Sequence, residues 1–305
     1  MGSKGGHRIS ILANNPRISL VLGSGGARGL AHIGVIHELE KRGITIASIS
    51  GCSIGSLIGG VYAAGKLDEF EHWVRAISKM DMVNLLDLSW ARHGLVKGDK
   101  IIGTLVELVG DQLIEDLPIP YTAIAADIKN EKEVWLNSGL LFDAIRASIS
   151  LPLFFTPVPR KDTFLIDGGV LNPVPIAPTF GDGTDLTIAV NLGGPATTQP
   201  APAPKPANTT VDDKSLRGRV ERFVRELQSS DEEDEADTLG AYAIADQAFD
   251  AMQSTIARQK LAAYPPDIVI EIARNACGTF DFDRAAEIIE LGRVTAIDSL
   301  DRHAG

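Results

Sequence analysis

The sequence predicts an α/β fold of three layers, α/β/α, with a mainly parallel central sheet. Three observations predict it. Short apolar or β-branched runs of strand length alternate with longer runs of helical period. Two of the strand-to-helix junctions are rich in glycine, which tight turns and close packing of helix on strand require. The chain has 305 residues, 44% hydrophobic and 23% charged, enough to bury a sizeable core in one large domain or two small ones.

Taken in order, Ile18–Leu22 (ISLVL) is the first strand, and Leu30–Arg42 follows it as a helix. Ile44–Ser50 (ITIASIS) is β-branched and apolar, a second buried strand. Ile54–Ala64 continues as a buried helix and Leu67–Ile77 as the next. Ile44 to Gly65 carries no charge and is long enough to span a bilayer, but five glycines and four serines interrupt it, so strand, turn and helix is the reading. A helix over Lys100–Val109 precedes strands at Tyr121–Asp127 and Glu133–Leu136. Leu141–Ser148 is helical, and Thr163–Ile166 (TFLI) and Leu186–Asn191 are strands.

Pro195–Pro206 (PATTQPAPAPKP) then interrupts the pattern, and a mobile, extended insertion is expected at about 194–214. Beyond it, Leu216, Val220, Phe223, Val224 and Leu227 share one face of a helix over Leu216–Gln228. That helix reads as docked on the core, with a lid or membrane-touching helix on a tether as the sharper alternative. Asp231–Asp237 (DEEDEAD) reads as a solvated, disordered acidic run, and its spacing is no EF-hand loop. Helices over Leu239–Ala263 and Phe282–Leu300 flank a last strand, Ile268–Glu271. Residues 1–15 are set aside as a disordered start or an expression remnant, since Met1–His7 has no apolar stretch of the kind a signal peptide needs.

The formal net charge of −11 argues against nucleic acid and against purely electrostatic binding to anionic membranes. Two isolated cysteines, Cys52 and Cys277, give neither a disulfide framework nor metal spacing, which suits a cytoplasmic protein with free thiols.

Chemistry concentrates in three segments. Gly51-Cys52-Ser53-Ile54-Gly55 matches Gly-x-Ser-x-Gly, in which a serine sits on a tight strand-to-helix turn. Its hydroxyl would stand at a strand's C-terminal end, near the positive end of a helix dipole, where a nucleophile and a developing oxyanion gain most. Gly23-Ser24-Gly25-Gly26-Ala27-Arg28-Gly29 is a second strand-to-helix turn, whose free backbone N–H groups suit a phosphate or an oxyanion. No Gly-Lys-Ser/Thr closes it as a Walker loop, and the next strand ends in Ile49-Ser50-Gly51 without the acid that would hold a ribose. An oxyanion hole for Ser53 fits better. Asp167-Gly168-Gly169 ends a strand in a carboxylate and two glycines, a pattern an ordinary turn also gives.

In this order the three segments resemble the patatin-like phospholipase family. Gly94-Leu95-Val96-Lys97-Gly98-Asp99, Arg146-Ala147-Ser148 before Leu151-Pro152, Asn172-Pro173-Val174-Pro175 and Tyr264-Pro265-Pro266-Asp267 add to the likeness. They point to the bacterial branch related to neuropathy target esterase and the RssA-type proteins. The resemblance runs from about Ile18 to Leu300 and implies one patatin-like domain over 16–305.

It further implies a Ser–Asp dyad, with Ser53 as nucleophile and Asp167 as base. Gly25 and Gly26, with Arg28 nearby, would line the oxyanion hole, and Gly51 and Gly55 would flank the nucleophile on its elbow. No metal or organic cofactor is implied. Acyl lipids are the implied substrates: lysophospholipids, phospholipids or simple carboxyl esters, with thioesters accessible to the same site. An acyltransferase, and a regulatory protein that binds lipid or a partner, are the alternatives. Peripheral membrane contact and a homo-oligomer stay open.

The six histidines agree with a dyad: only His303 lies beyond Asp167, two residues from the end, and His32 and His37 read as helix residues. An ordinary aspartate, with a pKa of about 3.9, is a weak base for a serine, so Asp167 is expected to be desolvated and raised. Cys52 is expected to be a small packing residue.

Overall fold

The computed structural model describes residues 15–85, 96–198 and 232–304. By its contacts the chain falls into a large unit, Met1–Pro202 with Gln253–Gly305, and a small one, Ala203–Met252. Within the small unit the structure describes a helical stretch from Glu232 onward.

Eight strands of the described residues form one sheet: β1 (Arg17–Leu22), β2 (Thr45–Cys52), β3 (Tyr121–Asp127), β4 (Lys132–Leu136), β5 (Val158–Arg160), β6 (Thr163–Asp167), β7 (Leu186–Gly194) and β8 (Ile268–Ala273). The strands β3, β2, β1, β7 and β8 lie side by side and parallel. The strands β4, β5 and β6 add an antiparallel flank beside β3. The helices are α1 (Ala31–Lys41), α2 (Ile54–Ala63), α3 (Leu67–Ala76), α4 (Lys79–Leu85), α5 (Asp99–Val109), α6 (Leu141–Ser148), α7 (Glu232–Ala263) and α8 (Ala285–Ala304).

Side chains alternate across the sheet, so each strand feeds two cores. Ile18, Leu20 and Leu22 of β1 join the larger one, with Ile33 and Ile36 of α1, Ile58 of α2 and Ile288 of α8. Val21 of β1 and Ala189 of β7 face the other way, onto Val174, Ile176, and Ala257 and Leu261 near the end of α7. Burying apolar surface on both faces gives the three-layer α/β/α architecture. This is why the central strands read as near-continuous apolar runs.

The expected strands all form, with ends shifted by a residue or a few. Two short elements escaped the sequence reading. The strand β5 has three residues and contains Pro159, and α4 has seven residues, below the length at which a period is legible. The helix expected over Leu239–Ala263 begins at Glu232, so the acidic run expected to be disordered belongs to its first turns. The helix expected over Leu216–Gln228 and most of the Pro/Ala run lie outside the described residues. At the near end of that run, Thr197 and Asn275 exchange two hydrogen bonds. Among the described residues, no helix is long and apolar enough to cross a membrane.

Candidate active site

Strand pairing brings Ser53 to Asp167. The strand β4 pairs with Ala123–Asp127 along one edge of β3. The strands β2 and β6 therefore share its other edge. They approach from opposite directions. The last pair of β2 is Cys52 with Ile124, and the last pair of β6 is Asp167 with Ala125. Two distant strand ends thus stop head to head on consecutive residues of β3, and the residue that follows β2 is Ser53, 114 residues before Asp167.

At this junction the Ser53 Oγ donates to Asp167 Oδ2. Ser53 has φ 54° and ψ −125°, a conformation costly for a residue with a Cβ. Neighbouring groups hold it there. Its N–H donates to Ser148 Oγ at 2.9 Å, and that hydroxyl donates to the Ile124 carbonyl at 2.5 Å. The Ser53 carbonyl accepts from Ser56 Oγ at 2.6 Å. Gly51 and Gly55 permit the sharp turn by close approach. A Cβ on Gly55 would stand 2.2 Å from the Leu22 carbonyl oxygen, and one on Gly51 would stand 2.5 Å from that of Gly55.

Asp167 is 1% exposed. Its Oδ1 accepts from the Gly169 N–H at 2.7 Å, and its own N–H donates to the Ser150 carbonyl at 2.9 Å. Burial pushes its carboxyl up to about 6, although the hydrogen bonds from Ser53 and Gly169 pull the other way. The Cys52 thiol is also pushed up, chiefly by burial and then by the charges of Asp167 and Glu133. A fully buried thiol of this kind stays protonated and packs.

The glycine-rich turn lies between β1 and α1 and opens as a short 3₁₀ turn, Gly26–Leu30. Three of its amides bond across to other segments: Gly23 N–H to the Val190 carbonyl, Ser24 to Pro173 and Ala27 to Thr279. Those of Gly25 and Gly26 have no hydrogen-bond acceptor among the described residues. Arg28 is buried and serves the turn through its side chain. Its Nε donates to the Gly25 carbonyl at 3.0 Å and its guanidinium to the Arg274 carbonyl at 2.6 Å.

His32 is fully buried on α1 with its Nε2 2.9 Å from the Gly23 carbonyl, so the ring supports the turn. Burial lowers its pKa to about 4, which keeps the imidazole neutral. His37 pairs with Glu71 at 2.6 Å, and His303 bonds the Ser299 carbonyl one turn back.

A pocket of about 740 Å³, part of it open to solvent, is lined by Ser53 and Gly26. The rest of its wall is almost wholly apolar: Phe70 and Trp73 of α3, Met82 of α4, Ile101 and Leu105 of α5, then Leu151, Phe154, Phe280 and Phe282. No group of three or more metal-ligating side chains occurs among the described residues.

The sequence reading placed Ser53, Asp167 and both glycine turns but gave Ser148 no role. The signal was the Arg146-Ala147-Ser148 triplet. Arg146 donates to the Lys97 carbonyl, and to the Thr156 carbonyl at 3.0 Å, which fastens the start of α5 to the segment after α6. Ser148, two residues on, fastens the elbow.

A family model described as patatin-like phospholipase matches residues 20–180. The chain belongs to the patatin-like phospholipase family. An NTE family protein of Mycobacterium tuberculosis (strain H37Rv) is 38% identical over 95% of this chain and 92% of its own length. Lysophospholipase NTE1 of Saccharomyces cerevisiae is 32% identical over 61% of this chain but only 11% of its own. Among solved structures, VipD from Legionella pneumophila aligns over 95% of this chain and 67% of that one, with 15% identity and a TM-score of 0.44. As a patatin-like phospholipase of the NTE-like branch, this protein is a hydrolase of carboxylic esters, acting on lipid.

Proposed function

We propose that this patatin-like phospholipase cleaves fatty acyl esters, lysophospholipids foremost, through a Ser53–Asp167 dyad and an acyl-enzyme. The observation that carries this reading is the buried hydrogen bond from the Ser53 hydroxyl to a raised carboxylate, at a strained elbow that opens into an apolar pocket.

The steps follow from the donors and acceptors present. The acyl chain enters the apolar pocket and sets its carbonyl carbon beside Ser53 Oγ. That oxygen attacks as its proton passes to Asp167 Oδ2. A base near pH 6 suits this transfer better than an ordinary aspartate. The carbonyl oxygen gains charge, and the unused amides of Gly25 and Gly26 are the donors for it. The C–O bond of the ester breaks, and the leaving alcohol takes the proton from Asp167. A water then gives its proton to the same carboxylate and attacks the acyl-enzyme; the bond from the acyl carbon to Ser53 Oγ breaks, Asp167 returns the proton to that oxygen, and the fatty acid leaves. An alcohol in place of that water makes the enzyme a transferase.

The test is labelling with a fluorophosphonate, read by intact mass, beside hydrolysis of a short nitrophenyl ester. One label is expected on the wild type and none on Ser53→Ala, with turnover lost in both Ser53→Ala and Asp167→Asn. A label that survives Ser53→Ala sinks the dyad. Adding an alcohol acceptor and looking for a transfer product separates hydrolase from transferase.

A further inference from the structure

The C-terminal turns of α7 carry polar side chains onto both active-site turns. Gln253, Ser254, Ala257 and Lys260 recur at helical spacing, and the first three are buried. Gln253 Nε2 donates to Ser24 Oγ at 3.1 Å, in the glycine-rich turn. The same amide nitrogen lies 2.1 Å from where a Cβ on Gly169 would stand. Ser24 Oγ lies 2.8 Å from that point and Asp167 Oδ1 3.0 Å. The glutamine amide, the serine hydroxyl and the catalytic carboxylate therefore converge on the bare α-carbon of Gly169. The second glycine of Asp167-Gly168-Gly169 makes room for this convergence.

A second link runs from the same helix. Lys260 Nζ meets Glu133 Oε1 at 2.5 Å, and Glu133 Oε2 accepts from Asn172 Nδ2 at 2.8 Å. Asn172 in turn donates its N–H to the Gly168 carbonyl at 2.8 Å.

Resting on the hydrolase reading above, we propose that Gln253 is a positioning residue: it sets the glycine-rich turn, which holds the oxyanion donors, against the turn that holds Asp167. It does not line the apolar pocket, so it has no part in binding the acyl chain. Its amide docks on two turns that are otherwise joined by the backbone bond from Ser24 N–H to the Pro173 carbonyl at 2.8 Å. Loss of the amide frees the donors to drift from the place where the oxyanion forms, and small misplacements cost rate steeply.

The experiment compares wild type, Ser53→Ala, Gln253→Ala and Gln253→Glu on a nitrophenyl ester, with active sites titrated by fluorophosphonate so that rates are per competent site. Gln253→Ala is expected to lose about tenfold in kcat with KM within about twofold. Gln253→Glu has nearly the same shape and sets a second carboxylate beside Asp167. Like charge disfavours ionisation, so the acid limb of its kcat/KM profile is expected to move up by about half a pH unit or more. A glutamine that only supported the fold would lower the number of titrated sites in Gln253→Ala and leave kcat per site unchanged. A Gln253→Ala variant with kcat per site within about twofold of wild type, a loss confined to KM, or an unmoved limb in Gln253→Glu overturns the proposal. Turnover that persists in Ser53→Ala overturns the Ser53–Asp167 reading itself and is seen before either glutamine variant is measured.

Discussion

The two halves of the site are built in opposite ways. Around Ser53 and Asp167 the polar groups are paired: the serine N–H with Ser148, the serine carbonyl with Ser56, one carboxylate oxygen with Gly169 and the other with Ser53. In the glycine-rich turn, Gly25 and Gly26 keep amides with no acceptor among the described residues, while Arg28 and His32 brace the carbonyls around them. The difference separates two tasks. The reacting atoms exist before the substrate arrives and must be held. In the proposed mechanism the oxyanion exists only during the reaction, so its donors have to be fixed in place and left unspent.

The comparison breaks most completely at the base. Asp167→Asn is expected to cost roughly a thousandfold in kcat, since it removes proton acceptance while leaving the fold. Its effect on stability has the opposite sign. The folded carboxyl titrates near 6, above its unfolded value, so protonation favours the fold. That contribution is complete below about pH 4 and is lost as pH rises through 6. Asp167→Asn is therefore expected to raise the melting temperature at pH 8 and to give no such gain at pH 3.5, which scanning calorimetry at both values checks.

The donor half breaks at Gly26. A Cβ there would stand 2.5 Å from the Thr279 carbonyl oxygen, on a backbone with φ of +56°. Gly26→Ala is expected to lower kcat about a hundredfold, the cost of one oxyanion donor, while single-site labelling of Ser53 slows in proportion.

A milder break falls on the paired half. Ser148→Ala leaves the Ser53 N–H and the Ile124 carbonyl without their partner. The expected cost is about tenfold in kcat, with about 2 kcal/mol of stability lost in urea titration. In the wild type, kcat/KM is expected to fall about tenfold per unit below pH 6, because only the ionised carboxylate accepts the serine proton. The smallest effect sharpens the comparison at the pocket. Ile101→Trp narrows the apolar wall and is expected to lower the ratio of long-chain to short-chain ester hydrolysis about fivefold, with the short-chain rate kept.

What the sequence made legible was local. The elbow, the glycine turn and the end of β6 each announce themselves within a few residues, because turn chemistry and strand composition are short-range properties. The partners of these turns are not local. Ser148 reaches Ser53 from 95 residues away, and Gln253 reaches Ser24 from 229. No spacing rule links residues so far apart. The strand β5 was illegible for another reason: three residues with a proline carry no period, and the strand exists because β6 offers it an edge. The acidic start of α7 was misread because composition outweighed the helical context that follows it.

The head-to-head ends of β2 and β6 have a consequence for control. Ser53 directly follows β2 and Asp167 ends β6, and both strands are stapled to one edge of β3, so the resting protein carries the proposed nucleophile and base already assembled. Such an enzyme is armed before it meets a lipid. A small covalent inhibitor is expected to meet no lag, because the proposed dyad needs no rearrangement to form.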